Sequence, residues 1–128
     1  MKKLVECVPN ISEGNDQSII NEIVDSVKNY PGIKLLNVDP GKATNRTVIT
    51  FVGESEIIVD AAFNLIEKAK ELIDMSNHSG EHPRMGAVDV CPLIPISGIT
   101  MEETVKLAHQ LSERVGNELL IPVYCYEY

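Results

Sequence analysis

The sequence predicts an α+β domain in which the order βαββαβ is followed by one further αβ pair, giving a mixed sheet with helices mainly on one face. Three observations lead there. Short β-branched-rich runs are bounded by Pro, Gly and Asn; two long segments repeat their apolar residues at helical spacing; and a Thr-x-x-Glu helix start lies near the C-terminal end.

Residues 3–8, with Leu4, Cys7 and Val8, predict a first strand that closes in a turn at Pro9-Asn10. From Asp16 to Asn29 the residues Ile19, Ile20, Ile23, Val24 and Val27 share one helical face, and Pro31-Gly32 ends that helix. Residues 33–39 and 46–52 are β-branched-rich and separated by Pro40-Gly41-Lys42-Ala43-Thr44-Asn45, which predicts a hairpin or neighbouring strands. A second helix is expected from about Ser55 to Met75, because Ile57, Ile58, Ala61, Ala62, Leu65, Ile66, Ala69, Leu72 and Ile73 keep a two-wide stripe. After a polar loop, residues 87–96 form an apolar run interrupted by Pro92 and Pro95, so only its first half is expected as strand. Thr100 and Glu103 form a capping box ahead of a third helix, whose buried face is expected from Met101, Val105, Ala108, Leu111 and Val115; a last strand follows at 121–126. The first six elements follow the ferredoxin-like plan. No linker or repeat divides the 128 residues, so a single domain over 1–128 is expected.

Composition narrows the function. Hydrophobic residues make up 44% and charged residues 23%, which is globular rather than disordered. Eleven Lys and Arg against 19 Asp and Glu leave a net charge of −8, which repels a phosphate backbone and argues against nucleic acid and anionic membranes as partners. Cys7, Cys91 and Cys125 are odd in number and sit in apolar runs, so buried free thiols in a reducing compartment are expected. The N-terminus meets Glu6 before any long apolar stretch, so neither a signal peptide nor an anchor is expected, and the cytoplasm is the expected location. Asn10, Asn45 and Asn77 open N-x-Ser/Thr triplets, read as chance matches.

His78-Ser79-Gly80-Glu81-His82 matches the spacing of the inverted zinc-protease pattern, but Gly80 inside it and Pro83 after it oppose the helix that would align both imidazoles, so no metal is expected. Gly41-Lys42 lacks the first glycine and the final hydroxyl of a phosphate loop; Lys42 reads as a solvated turn residue, with its proximity to Asp39 and Arg46 left open. His82 stands out, in a Pro- and Gly-bounded loop beside Glu81 and Arg84 and ahead of a strand carrying Asp89. An imidazole of ordinary pKa, about 6.5, suits proton transfer near neutrality. His78 and His109 read as solvated. Asp39 ends a predicted strand and Asn10 follows one, and side chains at such ends commonly converge on one rim of a sheet. Turn formation or helix capping explains them equally well, and Asn10, Ser12 and Asn15 can all cap the first helix.

The segments Val5-Glu6-Cys7-Val8-Pro9-Asn10-Ile11-Ser12-Glu13-Gly14, Thr44-Asn45-Arg46-Thr47-Val48 and Gly80-Glu81-His82-Pro83-Arg84-Met85-Gly86-Ala87-Val88-Asp89-Val90-Cys91-Pro92 resemble, in the same order, the N-terminal subdomain of glutamate formimidoyltransferases. The resemblance implies transfer of the formimino group from N-formimino-L-glutamate to N5 of tetrahydrofolate in histidine degradation, with tetrahydrofolate as co-substrate and His82 as general acid/base. For that reaction, the residue types lead us to expect that Asp39 orients the cationic formimino group, that Arg84 pairs with a substrate carboxylate, and that Asn10 and Glu81 belong to the substrate-binding set. Transferases of that family carry a second, similarly folded subdomain and bind folate in the groove between the two, whereas this sequence stops at Tyr128. The basic groups that hold a folate polyanion are therefore expected from a second half or from a partner. The rival expectation is a non-catalytic module that self-associates as a homodimer, or docks a separate second subdomain, through its open face.

Overall fold

A computed structural model describes residues 2–73 and 88–119. The first strand of the prediction is split in two. β1 (Leu4–Cys7) and β2 (Asn10–Ile11) flank Val8-Pro9, and the turn expected at Pro9-Asn10 is instead a break within one strand path. Pro9 has no N–H to donate, but its carbonyl accepts from Ile49 N–H at 3.0 Å while Val8 N–H donates to Pro92 O at 3.1 Å, so the chain stays in the sheet on both sides of the break.

α1 (Gln17–Lys28) buries Ile20, Ile23, Val24 and Val27 as its stripe predicts. Its N-cap is Asp16 rather than Asn10, Ser12 or Asn15: Asp16 Oδ1 accepts from Ser18 N at 3.0 Å and Ile19 N at 3.3 Å, satisfying two of the orphan donors of the first turn. Gly32, at φ +85°, turns the chain into β3 (Lys34–Gly41), which forms a hairpin with β4 (Arg46–Glu54). β3 pairs with β4 alone among the described strands, and that edge position tolerates Pro40 within it.

α2 (Ser55–Leu72) ends three residues short of the expected Met75, because Ile73 leaves the helix at φ −95°, ψ 108° while staying buried. The apolar run near residues 87–96 becomes two strands, β5 (Val88–Val90) and β6 (Leu93–Ser97), so its second half is strand as well. α3 (Met101–Arg114) starts with the expected capping box: Thr100 Oγ1 accepts from Glu103 N at 3.0 Å and Glu103 Oε1 accepts from Thr100 N at 3.1 Å. Its expected buried face holds at Ala108, Leu111 and Val115, is only partly buried at Val105, and gains Thr104. Thr104, Ala108, Leu111 and Val115 are buried, whereas Met101 is 39% exposed. Thr104 is accommodated there because its hydroxyl donates to Thr100 O at 2.9 Å. A π-helical turn, Val115–Leu119, extends α3. The strand expected at 121–126, with Cys125, lies outside the described residues.

β4 is the axis of the sheet. On one side it pairs with β3; on the other, Phe51–Glu54 pair with β1 and Thr47-Val48 with β2, while β6 pairs with β1 and β5 with β2. Counting β1 with β2 and β5 with β6 as single interrupted strands, the order is that of a ferredoxin-like fold. Every described ladder is antiparallel, and the expected mixed sheet becomes an antiparallel one over these residues. The physical reason is the split βαβ: each helix returns the chain one strand too far for a parallel pair, and an antiparallel strand fills the slot.

All three helices pack toward one face. The inward residues Val5, Cys7, Ile11, Ile49 and Phe51 are fully buried with Ile23, Val27, Leu65, Ile66 and Leu111 in one continuous core. At about 25 cal/mol per Å² of apolar surface, each such side chain contributes roughly 1.5–3 kcal/mol. The alternate residues Leu4, Glu6, Val48, Thr50, Val52 and Ile94 point the other way and remain partly exposed. No described helix lies over that face, and none is long and apolar enough to cross a membrane.

Candidate functional site

The two described candidate residues lie on the open face, on either side of Val48. Asn10 is opposite Val48 in the β2–β4 ladder, and Asp39 is opposite the same Val48 in the β3–β4 ladder. Val48 is only partly buried while its neighbours Thr47 and Ile49 are fully buried, so this row faces away from the helices. At about 4.8 Å per strand, the Cα atoms of Asn10 and Asp39 lie about 10 Å apart. An exposed carboxylate and a half-buried amide thus bracket an apolar side chain across a span suited to a ligand of amino-acid size. Asn10 pairs on its other side with Val90, and Val88, six positions after His82 in sequence, pairs with Ile11.

A corner of hydrogen bonds sets this end of the sheet. Asn45, at φ +53°, is the non-glycine residue with left-handed backbone among the described ones, and its Oδ1 accepts from Gly14 N at 2.9 Å and from Asn15 Nδ2 at 2.9 Å. Thr47 Oγ1 donates to Glu13 O at 2.5 Å, and Glu13 Oε2 accepts from Asn15 N at 3.0 Å and Asp16 N at 2.9 Å. Gly14 has no room for a side chain: a Cβ there would run into Gly41 O and lie 2.6 Å from Arg46 N. The loop after β2 is therefore clamped onto the β3–β4 turn, which fixes the register of Asn10 against Val48. Sequence reasoning gave Asn45 no role of its own. The available signal was an Asn in a turn between two β-rich runs, a residue type that tolerates left-handed backbone.

Of the remaining candidates, Glu81, His82 and Arg84, with His78, lie outside the described residues. His109 is exposed on α3, as expected, and Lys42 is exposed in the β3–β4 turn. Among the described residues no three His, Cys, Asp or Glu side chains are grouped so as to hold a metal ion. A cavity of about 510 Å³, lined by Lys2, Lys3, Glu54, Ser55 and Glu56, sits where Leu4 pairs with Glu54, at the opposite end of the sheet from the Asn10–Val48–Asp39 row.

The Lys3 ammonium, 2.6 Å from Glu103, holds that carboxyl below its ordinary range, helped by the Thr100 N–H. The Ser18 hydroxyl lowers the Asp16 carboxyl in the same way. Cys91 is pushed well up, first by its hydrogen bond with Cys7 and then by burial. Both of these cysteines are free and buried, as the sequence predicts.

Comparison with known proteins agrees with the motif resemblance. The chain is 54% identical over 126 residues to formimidoyltransferase-cyclodeaminase of Mus musculus, covering 98% of this chain and 23% of that protein. It is 49% identical over 127 residues to glutamate formimidoyltransferase of Streptococcus pyogenes, covering 99% and 42%, and 52% identical over 123 residues to that of Thermoplasma acidophilum, covering 96% and 41%. It therefore spans less than half the length of these relatives. Among solved structures, that of MupZ from Pseudomonas fluorescens overlays at a TM-score of 0.47 and 13% identity, covering 100% of this chain and 88% of that one. The family model described as formiminotransferase domain, N-terminal subdomain, matches residues 4–128, and the chain belongs to that family.

Proposed function

We propose that this chain is the proton-transfer half of a glutamate formimidoyltransferase, moving the formimino group of N-formimino-L-glutamate to N5 of tetrahydrofolate with His82 as general acid/base. The observation that carries the reading is the family match over residues 4–128, within which Gly80-Glu81-His82-Pro83-Arg84-Met85-Gly86 stands complete. N5 attacks the formimino carbon to give a tetrahedral intermediate; N5 then loses a proton and the departing glutamate nitrogen gains one. One imidazole can take the first proton and deliver the second. The open-face row supports the rest of the reading. Asp39, an exposed carboxylate about 10 Å from Asn10 across Val48, is suited to orient the cationic formimino group. Arg84 pairs with a substrate carboxylate, with Glu81 beside it in the same motif. Free Cys7 and Cys91 agree with a reducing, cytoplasmic setting.

The net charge of −8 is unsuited to a folate polyanion, so the groups that hold tetrahydrofolate come from a second subdomain facing the open sheet surface. The test is formimino transfer by this chain supplemented with a separately produced second subdomain, run beside His82→Ala. We expect the substitution to lower kcat by about 10²–10⁴-fold. Undiminished transfer in a folded His82→Ala protein contradicts the assignment.

A second reading rests on the uncovered face, where Leu4, Val48, Val52 and Ile94 stay partly exposed. In it the chain is a non-catalytic module that uses this surface to form a homodimer or to dock a second subdomain. Sedimentation at high protein concentration separates the two modes of association; a strictly monomeric mass counts against self-association.

A further inference from the structure

Cys7 and Cys91 have no part in the proposed reaction, yet their side chains touch. Their sulfurs lie 3.3 Å apart, both are fully buried, and 84 positions of sequence separate them. The backbone holds them in place from both sides. Cys7 pairs with Leu93, Val8 N–H donates to Pro92 O at 3.1 Å, and Cys91 occupies the gap between β5 and β6. A disulfide needs about 2.05 Å between sulfurs, a closure of little more than 1 Å from the observed contact.

We infer that Cys7 and Cys91 are an oxidation site at which a peroxide closes a reversible intrachain disulfide, clamping β1 to the β5–β6 corner. The chemistry balances with two thiols and one hydrogen peroxide. One thiolate attacks a peroxide oxygen, the O–O bond breaks, and the sulfur becomes a sulfenic acid as hydroxide leaves; the second thiolate attacks that sulfur, forming the S–S bond and expelling a second hydroxide. With the two thiol protons these leave as two waters, the sulfurs having lost two electrons to the peroxide oxygens. A dithiol reductant reverses the step by exchange.

Burial sets the pace. A buried thiol held in its protonated form reacts slowly, so oxidation proceeds through local opening of β5 and β6, which have three and five residues. Once closed, the bond ties a long loop of chain and raises the barrier to that same opening. It joins the strand path that carries Asn10 to the corner that follows the Gly80–Gly86 motif, so reduction state and site rigidity change together.

The experiment uses the full chain with Cys125→Ser, which leaves only the two thiols in question. The protein is treated with hydrogen peroxide, with and without sub-denaturing urea, then denatured, alkylated, digested and weighed. We expect a peptide carrying Cys7 linked to one carrying Cys91, lighter than the two reduced peptides by two hydrogen atoms. We also expect a melting temperature higher by roughly 10 °C that returns to its starting value on reduction. The inference is overturned if both cysteines remain alkylatable after treatment in urea, if the link joins separate chains, or if the linked chain melts below the reduced one.

Discussion

The two faces of the sheet are built from the same strands and behave as different materials. On β4, Thr47, Ile49 and Phe51 are fully buried, while Val48, Thr50 and Val52 between them stay partly exposed. The inward set meets three helices, and its chemistry is that of a packed core. The outward set is no less β-branched, but it ends in a row that places Asn10 and Asp39 on either side of Val48. The difference teaches that an alternating strand need not be polar on its uncovered side: a β-branched outer face with a few placed polar groups is what a strand carries when that side is used for contact.

The sharpest way to break the comparison is to truncate adjacent residues of β4. Phe51→Ala removes a fully buried ring and should cost about 3–5 kcal/mol, whereas Val52→Ala, one residue on and facing outward, should cost under about 1.5 kcal/mol. Equal losses in urea unfolding would mean that the outer face is a core as well. Gly14→Ala comes next, because its Cβ would press on the backbone of Gly41 and Arg46; a loss of about 1–3 kcal/mol is expected, with the Asn10 register disturbed in amide chemical shifts. Thr100→Ala removes the capping box of α3 and should cost about 1 kcal/mol without touching either face of the sheet.

Acid probes the helix-side carboxylates. Glu103 and Asp16 have folded-state values below their ordinary ones, so the stability they confer is present above the unfolded values and is lost as the pH falls from about 4 through the folded ones. Both groups are solvent-exposed, so the acid loss is small, and melting of Glu103→Gln should show a weaker pH dependence than the parent between pH 5 and pH 2 (approximate bounds).

Much of the fold is legible in the sequence because its signals are local. The stripes of α1 and α2, the hairpin, and the Thr100–Glu103 capping box are all set within a few turns of chain. What is not legible depends on partners far away. Pro9-Asn10 reads as a turn until Ile49 and Pro92 supply hydrogen bonds across the sheet. On α3, Thr104 is buried because its hydroxyl is satisfied by Thr100 O, while Met101 in the first turn is left exposed. Asp16 takes the cap from three nearby residues equally suited by type. At the site, Asn10 and Asp39 read as residues at strand ends, whereas Asn10 opens β2 and Asp39 lies inside β3, and their sharing of one neighbour is a matter of register. The clamp of Asn45 on Gly14 joins residues 31 apart, which no local pattern announces.

Asp39→Ala gives the smallest stability change and the most direct test. Asp39 is exposed on an edge strand, so unfolding free energy should stay within about 0.5 kcal/mol of the parent. Under the proposed function, the same substitution in an assembly with a second subdomain should lower kcat/KM for formiminoglutamate by at least about tenfold, because in that reading Asp39 faces the cationic formimino group. Unchanged transfer in a protein of unchanged stability would contradict the claim that the open sheet face is the working surface of this fold.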